Sequence, residues 1–150
     1  MDSELDSKLE LIQALPLDML KFTYQALIPA HLTPPALFWA SHEDKKLAIG
    51  LCACLAVWKA SGNKIVPNEF QLTATIAIMA GQDSLIDVRT GYRKTLCMII
   101  PCLLAPKSMS MIISPVKRLQ AVQILEFEWY GVKTVAINKD ILNDPALWKV

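Results

Sequence analysis

The stretch "LIDVRTGYRKTLCMIIPCLL", residues 85–104, decides how the fold of this chain is interpreted. A short β-rich run, 84–88, leads into a polar turn around Gly91, and an apolar helical pattern follows from Lys94 to Leu104. The same alternation continues on both sides, with further helices predicted at 70–80 and 116–130 and further strands at 109–114 and 132–137. Strands that alternate with helices favour βαβ units, so the sequence predicts an α/β fold with a parallel sheet from Pro67 onward.

The first 66 residues have a different pattern. Apolar residues recur there at helical spacing, and prolines at positions 16, 29, 34 and 35 interrupt the pattern. A longer helix is predicted from about Ser41 to Ala60, with Gly62 as its stop signal. We therefore expect an all-helical N-terminal extension, residues 1–66, followed by a second domain, residues 67–150.

Composition limits the possible functions. The chain has 150 residues, of which 53% are hydrophobic, so it can form a substantial core. Its 15 basic and 14 acidic residues balance, so any contact with nucleic acid must come from a local basic patch. The four cysteines include no CxxC pair, which favours buried free thiols over a zinc site or disulfides.

The N-terminus is charged, and the longest apolar run, Leu47 to Val57, is too short to cross a bilayer. We therefore expect a soluble, intracellular protein without a membrane partner.

The turn before the helix at 94–104 has the chemistry of a phosphate-binding loop. Its residues are Thr90, Gly91, Tyr92, Arg93, Lys94 and Thr95. In such loops, backbone N–H groups and a helix N-terminus surround the phosphates, a lysine reaches the β/γ oxygens and a Ser/Thr hydroxyl binds Mg²⁺. The general GxxxxGK[ST] pattern has glycine where this chain has Val88 and Arg93, so the pattern alone leaves an ordinary strand–turn–helix as an alternative.

The surrounding motifs add to this evidence. A glutamine ten residues before a glycine and twelve before an aspartate is present as Gln71, Gly81 and Asp83. The loop follows, and then a Ser114-Pro115-Val116 turn that opens the next helix. Together, residues 67–140 resemble the start of the first motor domain of superfamily 2 helicases of the DEAD/DEAH-box-like type, and most closely the RecQ branch.

The resemblance implies a partial RecA-like parallel sheet of the P-loop NTPase type. It implies that Gln71 recognises adenine, that the loop from Thr90 to Arg93 shapes an ATP site, and that Lys94 and Thr95 hold phosphate and Mg²⁺. It further implies contacts with a nucleic-acid backbone, DNA rather than RNA, from Ser114, Pro115, Lys117 and Arg118, and a nuclear location.

Two departures from the family pattern bear on activity. Arg93 replaces the second glycine of motif I, and a Cβ there strains the loop or fills the phosphate volume. The acidic Walker B motif is not found either, since Asp140 and Asp144 lie in a polar segment. We therefore expect no ATP hydrolysis or unwinding by this chain alone, and self-association through exposed sheet edges.

Three interpretations stay open at this point. The first is an ATP-binding part of a RecQ-like helicase, and the second is a non-catalytic, degenerate helicase segment that acts as an interaction protein. The third, an unrelated kinase-like P-loop enzyme, leaves the spacing of Gln71 and the Ser114-Pro115-Val116 turn unexplained.

Overall fold

A computed structural model describes residues 3–89, 91, 93–139 and 145. The described residues form seven α-helices and one 3₁₀ turn, Ala30–Leu32. The helices are α1 (Ser3–Gln13), α2 (Leu17–Leu27), α3 (Ala36–Ala40), α4 (Asp44–Ala60), α5 (Glu69–Met79), α6 (Leu96–Leu104) and α7 (Lys117–Trp129). The helices predicted from hydrophobic periodicity are therefore confirmed, and their ends lie within about three residues of the predicted positions.

The predicted parallel sheet is wrong. Segments 84–88, 109–114 and 132–137 form no strand, and the described residues contain no β-pairing of any kind. No backbone hydrogen bond within the described ranges joins any two of these segments. Most of their apolar side chains are also exposed, as for Leu85 at 98% and Met109 at 93%, and only Val132 at the start of the last segment packs against the core. A β-rich composition favours an extended backbone, but a strand exists only where a neighbouring strand satisfies its N–H and C=O groups.

The expected self-association through sheet edges has no basis in this fold. An edge is the outer strand of a sheet, and the described part of the chain is all-helical.

Helix α4 is the centre of the structure. Nine consecutive residues, from Gly50 to Trp58, are buried on it. It packs against α1, α2, α5 and α6. A helix that is apolar around its whole circumference can be stable only when other elements surround it, which explains why the shorter helices enclose α4.

One hydrophobic core contains residues from both sides of position 66. Its members include Leu9, Leu20, Leu55, Leu72, Ile99 and Phe127. Gln13 of α1 adds a polar link, because its side-chain amide donates to the carbonyl oxygen of Leu104 at the end of α6, 2.7 Å away. The helices of residues 1–66 thus pack together with the helices that follow position 66.

Candidate functional site

The candidate loop lies directly before α6. Of its predicted residues, Gly91, Arg93, Lys94 and Thr95 are described, whereas Thr90 and Tyr92 lie outside the described residues. Two backbone angles define the turn, since Gly91 has φ 96° and Arg93 has φ 55°. Both values are in the left-handed region, which glycine adopts freely and an arginine adopts at a cost of about 1 kcal/mol or more.

Arg93, which the resemblance places where motif I has its second glycine, has a backbone conformation that favours glycine. Its side chain is exposed, and its positive charge acts on Tyr130, the residue that ends α7. Burial raises the pKa of Tyr130, and the guanidinium of Arg93 opposes that rise.

Gln71 is brought to this loop from α5. Its side chain is only 2% exposed. Its Oε1 accepts a hydrogen bond from the backbone N–H of Asn68 at 2.9 Å, and its Nε2 donates to the carbonyl oxygen of Arg93 at 2.9 Å. The fold therefore joins two predicted site residues that are 22 positions apart. Both polar atoms of the amide thus already have a partner inside the protein.

Asn68 is the residue of this site that the sequence analysis missed. Its Oδ1 accepts from the backbone N–H of Gln71 at 3.2 Å, and together the two side chains form a capping box at the start of α5. The signal is present in the sequence, because an N-cap residue followed three positions later by Glu or Gln is the capping-box pattern. This box fixes the side chain of Gln71 at the helix start.

Lys94 and Thr95 complete the loop. The Nζ of Lys94 donates to the carbonyl oxygen of Val88 at 2.8 Å, so the ammonium group lies back over the loop. Thr95 is the N-cap of α6, and its side chain makes no capping hydrogen bond. Apart from its two chain neighbours, no described residue has a heavy atom within 4 Å of the position that a Cβ on Gly91 would occupy. The loop thus presents a lysine and a hydroxyl at a helix N-terminus.

The predicted nucleic-acid residues lie at the start of α7. Lys117 and Arg118 are exposed in its first turn. The carbonyl oxygen of Ser114 accepts from the Nε2 of Gln120 at 2.9 Å, and its hydroxyl is buried with no hydrogen-bond partner among the described residues. Pro115 is exposed in the turn between them. Two positive charges next to a helix N-terminus have the chemistry of a phosphate contact.

Gln120 was also missed from the sequence. Its Oε1 accepts from the side-chain amide of Asn138 at 3.5 Å, so it connects the turn before α7 with the segment that follows it. Sequence pattern alone contains no signal for such a bridge, because its partners lie 18 positions apart.

All four cysteines are free thiols. Cys52, Cys54 and Cys97 are buried, and Cys102 is partly exposed. Burial raises the pKa of Cys52 to about 11, which keeps the thiol protonated at neutral pH. Within the described ranges, no three His, Cys, Asp or Glu side chains are grouped as a metal site would need. No helix in this part of the protein is both long and apolar enough to span a bilayer.

Comparison with known proteins relates part of the chain to DNA helicases. No protein-family model matches it, and no solved structure resembles it significantly. A Caenorhabditis briggsae protein, provisionally assigned as ATP-dependent DNA helicase Q1, is 31% identical over 97 residues, which cover 59% of this chain and 16% of that protein. The Caenorhabditis elegans protein of the same provisional name is 28% identical over 97 residues, with 59% and 15% covered. The chain spans about a sixth of the length of these curated relatives, and this weak similarity relates it in part to RecQ-like helicases.

Proposed function

We propose that this helicase-related segment binds ATP together with Mg²⁺ through the loop at residues 90–95. The observation that supports this most directly is the pair of left-handed residues, Gly91 and Arg93, immediately before Lys94 and the N-terminus of α6. Left-handed residues occur in the backbone N–H nests that bind anions, and a helix N-terminus adds its positive dipole. The similarity to proteins named as ATP-dependent helicases agrees with this choice of ligand.

In this proposal Lys94 contacts the phosphates and the hydroxyl of Thr95 holds Mg²⁺. The Nζ of Lys94 donates to the carbonyl oxygen of Val88 in the free protein, and a phosphate is a stronger, charge-assisted partner for it. ATP bound with Mg²⁺ supplies a triphosphate whose negative charge these groups neutralise. In the same proposal Gln71, whose Nε2 donates to the carbonyl oxygen of Arg93, reads the adenine edge.

We further propose that the turn before α7 contacts a nucleic-acid backbone, DNA in preference to RNA, and that the protein acts in the nucleus. Lys117 and Arg118 neutralise phosphates there, and Ser114 and Pro115 position the helix start. Their exposure on the first turn of α7 supports this role.

A second candidate function is a non-catalytic interaction protein. One observation favours it specifically, since Gln71 and Lys94 both already hold hydrogen bonds within the protein. In that case the loop is a structural turn, and the protein acts through binding surfaces on its helices.

Titration with a fluorescent ATP analogue in the presence of Mg²⁺ tests the proposal. We expect binding by the wild-type chain, a loss of about tenfold or more in Lys94→Ala, as for a lost charge-assisted hydrogen bond, and no change in the matched control Lys107→Ala. Arg93→Gly should bind more tightly than wild type, because the loop then has neither the strained residue nor its side chain. The absence of binding in wild type and in Arg93→Gly would reject the proposal and leave the interaction protein as the better interpretation.

A further inference from the structure

The bond between Gln71 and the loop has a role that does not depend on a nucleotide. Arg93 has φ 55°, a conformation that arginine does not hold without support from its surroundings. Its carbonyl oxygen accepts two hydrogen bonds, one from the Nε2 of Gln71 at 2.9 Å and one from the backbone N–H of Leu96 at 3.1 Å. These two bonds fix the orientation of the peptide group that follows Arg93.

The donor in α5 is rigid. Gln71 is 2% exposed, and the Asn68 N–H holds its Oε1 within the capping box. Next to it, Leu72 is 0% exposed in the core against which α6 also packs. An amide fixed at one end by a helix cap can orient a partner at its other end without a further loss of side-chain entropy.

We propose that Gln71 is a positioning residue that holds Arg93 in the left-handed conformation, so that the loop keeps with an arginine the shape that a glycine would adopt unaided. The Leu96 N–H alone is insufficient, because any helix start can form that bond without a left-handed residue before it. The effect of this contact on ATP rests on the proposed function, whereas the contact itself acts in the free protein.

Native-state hydrogen exchange measured by NMR tests this inference without a ligand. The reporters are the backbone N–H groups of Leu96 and Cys97, which donate to the carbonyl oxygens of Arg93 and Lys94 at 3.1 Å and 2.9 Å. Gln71→Glu keeps an acceptor for the Asn68 N–H and replaces the donor toward Arg93 by a second acceptor. We expect the protection of both reporters to fall by about fivefold or more, the effect of one lost hydrogen bond.

Three further variants separate positioning from general stabilisation. Asn68→Ala removes one bond of the capping box, leaves the Gln71–Arg93 bond in place and should not change the reporters. In the Arg93→Gly background, Gln71→Glu should have less than half of its effect on their protection, since glycine needs no support at positive φ. The amide of Ser61, at the end of α4, serves as an internal reference for global opening.

Unchanged protection in Gln71→Glu, or an equal loss with arginine and with glycine at position 93, would overturn the inference. If Gln71→Glu does not fold, Gln71→Met gives the same comparison without a buried charge. Failure of ATP binding leaves these outcomes unaffected, so the two proposals are tested separately.

Discussion

Replacement of Arg93 tests the central feature of the candidate loop. Arg93 has φ 55°, and such a conformation costs a non-glycine residue about 1–3 kcal/mol. Glycine removes that strain but loses about 0.5–1 kcal/mol through the greater freedom of the unfolded chain. We therefore expect Arg93→Gly to raise the free energy of unfolding by about 1 kcal/mol, which corresponds to about 3 °C in Tm for a chain of this size.

Arg93→Ala is the matched control for this prediction. Alanine removes the same guanidinium but keeps a Cβ, so the backbone strain remains and no gain is expected. Urea and thermal denaturation of the three proteins provide the measurement. If Arg93→Ala is as stable as Arg93→Gly, or if both are less stable than wild type, the assignment of strain to this residue is refuted.

Three other predictions concern the fold. Gly50→Ala should lower the free energy of unfolding by about 1 kcal/mol, because an added Cβ lies 2.8 Å from Cζ3 of Trp39. This overpacking outweighs the gain in helix propensity. A variant more stable than wild type in urea denaturation would contradict this prediction. Burial raises the pKa of Tyr24 to about 12 and of Cys52 to about 11, so their contribution to stability is complete below pH 9 and falls as pH rises from 9 to 12. Denaturation curves that do not change between pH 8 and pH 11.5 would contradict this predicted loss of stability at high pH. A shortened chain that begins at Pro67 should show no cooperative thermal transition by circular dichroism, because its helices share their core with α4. A sharp transition would show that α5, α6 and α7 fold without α4.

The helices were predictable because their signals are local. α4, α5 and α7 follow from apolar periodicity and from stop signals such as Gly62 and Gly131, both of which have positive φ. The strand predictions were wrong because a strand depends on a non-local signal. A run such as 109–114 has the composition of a strand, but its pairing depends on a partner elsewhere in the structure, and the described chain supplies none.

The candidate site was predictable in part. Spacing and resemblance selected Gln71 and the loop, and the structure places Gln71 against Arg93. The bond of the Gln71 amide to Asn68 has a local signal in the capping-box spacing, but sequence did not reveal that the amide also bonds to Arg93, or that Lys94 bonds to Val88. A side chain's hydrogen-bond partner is set by three-dimensional proximity, which residue type does not encode. The assignments of Thr90 and Tyr92 remain predictions.

The sequence by itself determined where most of the helices form and which residues have the chemistry to bind phosphate. Each of these depends on residue type and on spacing within a few positions. Only the tertiary structure decided that the chain is helical rather than α/β in its described part, that both halves share one core around α4, and that Gln71 holds the loop at Arg93. These properties require groups far apart in the chain to meet, and such contacts form through burial of apolar surface and pairing of backbone groups, which local pattern does not specify.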